Sequence, residues 1–261
     1  MAKQFTDQMN NTIRLEEFPC RIVSLVPSQT ELLYDLGLGD KVVGITKFCI
    51  HPESWFKNKT RVGGTKQLNI DVIRSLNPDL IIGNKEENTK EDIELLQKIA
   101  TVWMSDISTL EESYEMINQL GDLTNSSSVS DQIVTEIKRE FSKIQASNSN
   151  ISVLYLIWKN PYFVAGTNTF INSIISELGF ENFCREERYP EVKNEGDNSP
   201  DYIFLSSEPY PFKKEDVVEI EEQYPQSKVV IIDGEMFSWY GSRLKYAPNY
   251  FIKLIQQLTN K

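Results

Sequence analysis

The sequence predicts an α/β chain of two lobes joined by one long backbone helix, and three observations predict it. β-Branched runs alternate with helix-like segments at a spacing that suits parallel sheets. The rhythm occurs twice, and the second half answers "NPDLIIG" with "PDYIFLSS". Between the halves, Val129, Ile133, Ile137, Phe141 and Ile144 step by four, four, four and three, which marks one apolar helix face.

In the first half, residues 22–26 form a short β-branched run that Pro27 ends. Ser28 and Glu31 stand three apart before Leu32, Leu33 and Leu36, the spacing of a capping box, and Gly37 and Gly39 follow as terminators. The next elements are a strand over 41–45, a helix over 70–76, a strand over 80–82, the helix "NTKEDIELLQKIA" and the strand "TVWMSD". In the second half "ISVLYLIW" is a strand, and "TNTFINSIISELGF" is a helix that starts near Thr167 or Thr169 and ends at Gly179. Strand "PDYIFLSS", helix "EDVVEIEEQYP", strand "KVVIID" and helix "APNYFIKLIQQLTN" complete it. Each half thus reads as Rossmann-like. The expected division is 1–122 for the N-terminal lobe, 123–150 for the connector with one continuous helix near 128–146, and 151–261 for the C-terminal lobe. About 20 helical residues reach roughly 30 Å.

Charge and composition exclude several classes of partner. The formal net charge of −11 argues against nucleic acid and against adhesion to anionic lipid, since both need a basic surface. The 261 residues hold no apolar run long enough to span a membrane, and the first 18 lack the apolar stretch of a secretory signal. Three widely spaced cysteines, Cys20, Cys49 and Cys184, imply neither a disulfide framework nor a CxxC metal site.

No catalytic constellation stands out. Ser28 lacks a G-x-S-x-G elbow and reads as a helix N-cap. His51 is the only histidine, so no multi-histidine metal site can form. No P-loop sequence occurs, and "GLGDKVVG" follows a helix rather than a strand, the wrong order for a dinucleotide fingerprint. What does stand out is aromatic residues near element ends: Phe48, Trp55, Trp158, Tyr162, Phe163, Tyr189, Phe237, Trp239 and Tyr240. For each the ordinary reading is core packing. Loops after strand C-termini are nevertheless where α/β folds bind ligands, and aromatic linings suit large, partly apolar ones.

Four stretches carry a family resemblance: "RIVSLVPSQTELLYDLGLGDKVVGIT", "RVGGTKQLNIDVIRSLNPDLIIG", "NPYFVAGTNTFINSIISELGFENF" and "DGEMFSWYGSRL". They resemble the substrate-binding proteins of bacterial ABC importers for cobalamin, ferric siderophores and haem, with the likeness strongest to the vitamin B12-binding branch. The resemblance runs from about Arg21 to the C-terminus. It implies a class III periplasmic binding protein-like fold, no enzymatic activity and no resident cofactor or metal. It further implies a metal chelate or corrinoid held between the lobes for delivery to an ABC permease, by a monomer in the periplasm or at the cell surface.

The resemblance also implies site residues. Phe48 follows the "VVGIT" strand in a pocket position. Thr65 and Asn84 stand where the B12-binding branch has tryptophans. Phe163 matches a pocket phenylalanine, Tyr189 stands for a pocket tryptophan, Glu235 matches a pocket aspartate, and Trp239 shares its loop. Lys66, Arg188 and Arg243 are candidate cations near the ligand. Asp71 and Glu195, with Glu191 as a rival to the latter, take the positions of the family's permease-docking carboxylates. Two other readings stay open: an intracellular binding or sensor protein reusing the fold, and an enzyme on a related two-lobed fold.

Overall fold

The computed structural model describes residues 3–147, 150–192 and 199–259. The chain divides into two compact units. Unit one comprises Met1–Ile107, Glu111–Lys138 and Tyr240–Arg243, and unit two comprises Ser108–Leu110, Arg139–Trp239 and Leu244–Lys261.

Unit one opens with an antiparallel hairpin, β1 (Lys3–Thr6) and β2 (Thr12–Leu15). Then come β3 (Ile22–Ser24), α1 (Pro27–Asp35), β4 (Val42–Ile45), α2 (Glu53–Asn58) and β5 (Thr60–Arg61). A small antiparallel pair, β6 (Gly63–Gly64) and β7 (Gln67–Leu68), precedes α3 (Ile70–Ser75), β8 (Leu80–Asn84), α4 (Lys90–Leu96) and β9 (Thr101–Ser105). The main sheet has the order β5-β4-β3-β8-β9 and is parallel throughout. Central strands covered on both faces must be apolar on both faces. Ile22, Val23, Leu80, Ile81 and Ile82 are accordingly all buried. From β3 the chain moves first to β4 and later returns on the other side as β8. That reversal opens a crevice at the carboxyl ends of β3 and β8, the usual ligand end of an open α/β sheet.

Helix starts follow local chemistry. Asn69 accepts the Val72 N–H at 3.1 Å at the start of α3, and Thr89 accepts the Asp92 N–H at 3.3 Å at the start of α4. The capping box expected of Ser28 and Glu31 does not form. α1 starts two residues earlier, with Pro27 at its first position and no side-chain cap bond from Val26. Proline's fixed φ and missing N–H suit that position, so Ser28 is displaced into the helix and is buried.

Two helices of 15 residues follow, α5 (Leu110–Thr124) and α6 (Ser127–Phe141). The expected helix over 128–146 therefore ends at Phe141, and α5 stands where no helix was expected. The apolar step continues to Ile144, but the backbone leaves the helix. Lys143 and Ile144 close tight turns onto Glu140 and Phe141, and Ser147 donates to Leu178 O at 2.9 Å, docking the chain onto unit two. Unit assignment changes within α6, after Lys138.

Unit two holds β10 (Ser152–Trp158), β11 (Phe163–Val164), α7 (Phe170–Glu177), β12 (Glu181–Asn182), β13 (Tyr202–Ser206), α8 (Lys214–Gln223), β14 (Lys228–Ile232), α9 (Gly234–Ser238) and α10 (Ala247–Thr259). A 3-10 turn, Ser242–Lys245, precedes α10. The sheet order is β11-β10-β13-β14, with β10, β13 and β14 parallel, β11 antiparallel, and β12 beside β10. Thr169, one of the two expected starts, caps α7 by accepting the Asn172 N–H at 3.1 Å. One sheet face packs Leu154, Leu156, Ile203 and Leu205 with Ile220 of α8. The side chains that alternate with these build an aromatic layer, in which Tyr155, Phe204 and Phe251 each meet Phe237 edge to face at 5.0–6.1 Å.

No described helix is long and apolar enough to cross a membrane. All three cysteines are free, with Cys49 buried, Cys184 half-buried and Cys20 exposed.

Candidate functional site

In unit one the structure brings four expected residues to the carboxyl end of the parallel sheet. Phe48 follows β4 and is 51% exposed, unusual for a phenylalanine. Its ring lies over Gly64, where an added Cβ would meet Phe48 Cε2 at 3.2 Å. Lys47 Nζ sits 5.0 Å from the same ring. Thr65 and Lys66 form the two-residue tip joining β6 and β7. This hairpin needs Gly63, whose φ is +102° and whose Cβ position would strike the backbone of β7. Thr65 O accepts Asn88 Nδ2 at 3.0 Å, and Lys66 Nζ donates to Glu86 O, so the tip is tied to the loop after β8.

Asn84 ends β8 and is only 2% exposed. Its Nδ2 donates to Ser105 Oγ at 3.0 Å, and its Oδ1 accepts the Glu86 and Glu87 N–H groups at 2.8 and 3.1 Å. The side chain therefore builds the loop that holds Lys66. Gln29 joins the same buried network through Nε2 to Ser105 Oγ at 2.5 Å. Sequence reasoning missed Gln29 and Ser105, since neither differs by pattern from an ordinary helix or strand residue. It also missed Glu87. Burial pushes the Glu87 carboxyl up, and the Lys66 charge partly opposes the shift.

In unit two the expected residues form two groups. Phe163 lies on β11 and pairs across to Glu191, while Val164 N–H reaches Pro190 O at 3.1 Å. The segment carrying half-buried Tyr189 thus runs beside Phe163. Glu235 and Trp239 belong to α9, after β14. Asp233 caps α9 by accepting the Glu235 N–H at 3.1 Å, and Trp239 N–H closes it on Glu235 O at 3.0 Å. The Gly234 N–H donates to Ser207 Oγ at 2.9 Å, and Ser238 Oγ donates to Glu208 Oε1 at 2.6 Å, fixing α9 to the loop after β13. Trp239 is 6% exposed.

The remaining candidates are dispersed. Asp71 stands exposed in the first turn of α3 and pairs with Arg74 at 2.6 Å. Glu195 lies outside the described residues; its rival Glu191 is exposed. Arg188 Nη1 donates to Asn168 O at 3.1 Å. Arg243 is paired with Glu31, with Nε to Oε2 at 2.7 Å. Among the described residues, no cluster of His, Cys, Asp or Glu could hold a metal ion. The arrangement suits noncovalent capture: an exposed aromatic, adjacent cations and preformed loops at the carboxyl ends of parallel strands.

Comparisons with known proteins identify the family and the fold. Residues 22–225 match the family model described as periplasmic binding protein. The chain is 28% identical over 192 residues to the ABC transporter substrate-binding lipoprotein YvrC of Bacillus subtilis, covering 69% of this chain and 60% of that protein. It thus spans less than two thirds of that relative's length. It is 28% identical over 198 residues to the vitamin B12-binding protein of Vibrio cholerae, covering 72% of this chain and 71% of the relative. A possible iron-binding, periplasmic solute-binding protein from Staphylococcus epidermidis shares the fold with a TM-score of 0.77 at 21% identity, covering 94% and 100% of the two chains.

Proposed function

Because the chain belongs to the periplasmic binding protein family, we propose that it is the substrate-binding component of an ABC importer for a metal chelate or corrinoid. Family members are binding proteins for transport, not enzymes. The carrying observation is the exposed Phe48 ring beside the Thr65–Lys66 tip, at the ligand end of unit one's sheet. The proposed contacts are Phe48, Thr65 and Lys66 on unit one and Phe163, Tyr189, Glu235 and Trp239 on unit two, with Asn84 shaping the first set. Relatives named for vitamin B12 binding and possible iron binding support the ligand class.

The protein works outside the cytoplasmic membrane, in line with a lipoprotein relative and a periplasmic structural neighbour, and it acts as a monomer. Asp71 and Glu195 present carboxylates to a permease. Such charges fix orientation and speed encounter more than they raise affinity. The test of the ligand reading is a calorimetric screen of cobalamin, cobinamide, haem and ferric siderophores. One-to-one binding of at least one of them is expected, and no binding by any overturns the reading. Charge reversal of Asp71 and Glu195 in a reconstituted uptake assay tests docking. Full transport with normal ligand affinity removes the docking role.

A further inference from the structure

Two strands separate the expected contacts of unit two. The order β11-β10-β13-β14 places Phe163 at one side and the α9 loop with Trp239 at the other. Three strand spacings amount to roughly 14 Å. A ligand that touches both must cross the carboxyl ends of β10 and β13.

Those ends carry aromatic rings. β10 finishes in Trp158, the cross-strand partner of Phe163. The register shifts between Leu156 and Trp158, so the strand is irregular where the indole leaves it. The loop after β13 brings Tyr210 back, its N–H donating to Ile157 O at 3.4 Å and its ring meeting Trp158 edge to face at 5.8 Å. Tyr210 rests in turn on Phe212 at 4.8 Å, and Phe212 is part of the buried core. Trp158 is nonetheless 43% exposed, whereas Trp55, Trp103 and Trp239 are at most 6% exposed.

The exposed indole is also held in place. Lys159, the next residue, bonds Asp216 and Glu219 at 2.6 Å each, and Tyr162 Oη donates to Glu219 Oε1 at 2.5 Å. These contacts pin the turn between Trp158 and Phe163 to α8. A large apolar ring fixed on core-anchored neighbours and left facing water is a preorganised contact surface rather than a loose side chain.

We propose that the exposed Trp158 indole, buttressed edge-on by Tyr210, is an aromatic platform for the ligand, selecting chelates that present a flat, extended conjugated face. The proposal rests on the binding-protein reading above and adds to it one contact residue, its supporting residue and a selectivity. The test measures equilibrium binding of haem and of a ferric trihydroxamate chelate, which lacks such a face, to the wild type, Trp158→Ala, Trp158→Phe and Tyr210→Ala. Haem should bind the wild type and quench its tryptophan fluorescence. Trp158→Ala should weaken haem about tenfold or more and Tyr210→Ala by several-fold, while Trp158→Phe stays within about threefold. Affinity for the trihydroxamate, where it binds, should change less than about twofold. The platform is overturned if the wild type does not bind haem, if Trp158→Ala binds it normally, or if that variant loses both chelates equally. Binding of cobalamin or the trihydroxamate without haem overturns the platform alone. Failure of every chelate overturns the binding-protein reading with it.

Discussion

Arg243 grips Glu31 through both arms of its guanidinium, Nε to Oε2 at 2.7 Å and Nη2 to Oε1 at 2.8 Å, across 212 residues of sequence. The pair fastens the returning segment Tyr240–Arg243 to α1 inside unit one. Gly241 allows the approach, with a φ of +117° and Ser28 O only 3.3 Å from where its Cβ would stand. Both partners are largely shielded, with side chains 13% and 16% exposed. Removing one leaves a shielded charge without its bidentate partner, so Arg243→Met should cost about 2–3 kcal/mol. Arg243→Lys should recover only part of it, because an ammonium cannot form the fork. Urea unfolding midpoints of the two variants decide this, and an unchanged midpoint for Arg243→Met contradicts it.

The Lys159 cluster makes a pH prediction. Burial pushes the Asp216 carboxyl up, but the Lys159 ammonium and the Lys213 N–H outweigh it and hold it below its ordinary 3.8. Hydrogen bonds from Lys159 and Tyr162 likewise lower Glu219. A carboxylate with a depressed folded value stabilises above its ordinary value and loses that contribution as pH falls through the folded one. Lys159 is raised by both partners, so its contribution holds below 10.5 and is lost only as pH rises through its folded value. The stability gap between wild type and Lys159→Met should therefore be flat from about pH 5 to 10 and shrink below about pH 4. A gap that widens on acidification contradicts the assignment.

Asp7 organises the N-terminal hairpin. Its carboxylate accepts the Met9 and Asn11 N–H groups at 3.0 and 2.7 Å and the Met104 N–H of β9 at 3.2 Å. β9 is an edge strand, and the hairpin covers a donor that would otherwise be exposed. Asp7→Ala should cost about 1–3 kcal/mol and accelerate hydrogen exchange at Met104 more than at Ile81 in the sheet centre. Equal exchange at both sites would assign the hairpin no edge-sealing role.

On unit two, Trp239→Ala should weaken chelate binding by about 1–3 kcal/mol, the order for one buried aromatic contact. Lost melting temperature with intact affinity would make Trp239 a packing residue only.

Much of this molecule is legible in the sequence. The strands at 80–82 and 153–158 are unbroken apolar runs, as a parallel sheet covered on both faces requires. Thr169 reads as a cap and is one. The capping box at Ser28 fails because Pro27 fits the first turn better, leaving Glu31 free to meet an arginine 212 residues away that no local pattern points to. Helix α5 went unread although Leu110, Tyr114, Ile117, Leu120 and Leu123 form an apolar face, with Ser113 the polar residue inside it. At the site, aromatics near strand ends are visible, but exposure is not. Phe48 and Trp239 read alike, yet one ring faces water and the other is buried. Asn84 reads as a contact, and its amide is committed to shaping a loop.

The most direct measurement is calorimetric titration of the chelate found in the screen into wild type, Phe48→Ala and Phe163→Ala, with melting temperatures in parallel. Phe48 is 51% exposed and Phe163 half-buried, so truncation should hardly alter folding. The account predicts that each variant melts within about 3 °C of wild type and binds about tenfold or more weakly. Wild-type affinity in both variants would contradict it.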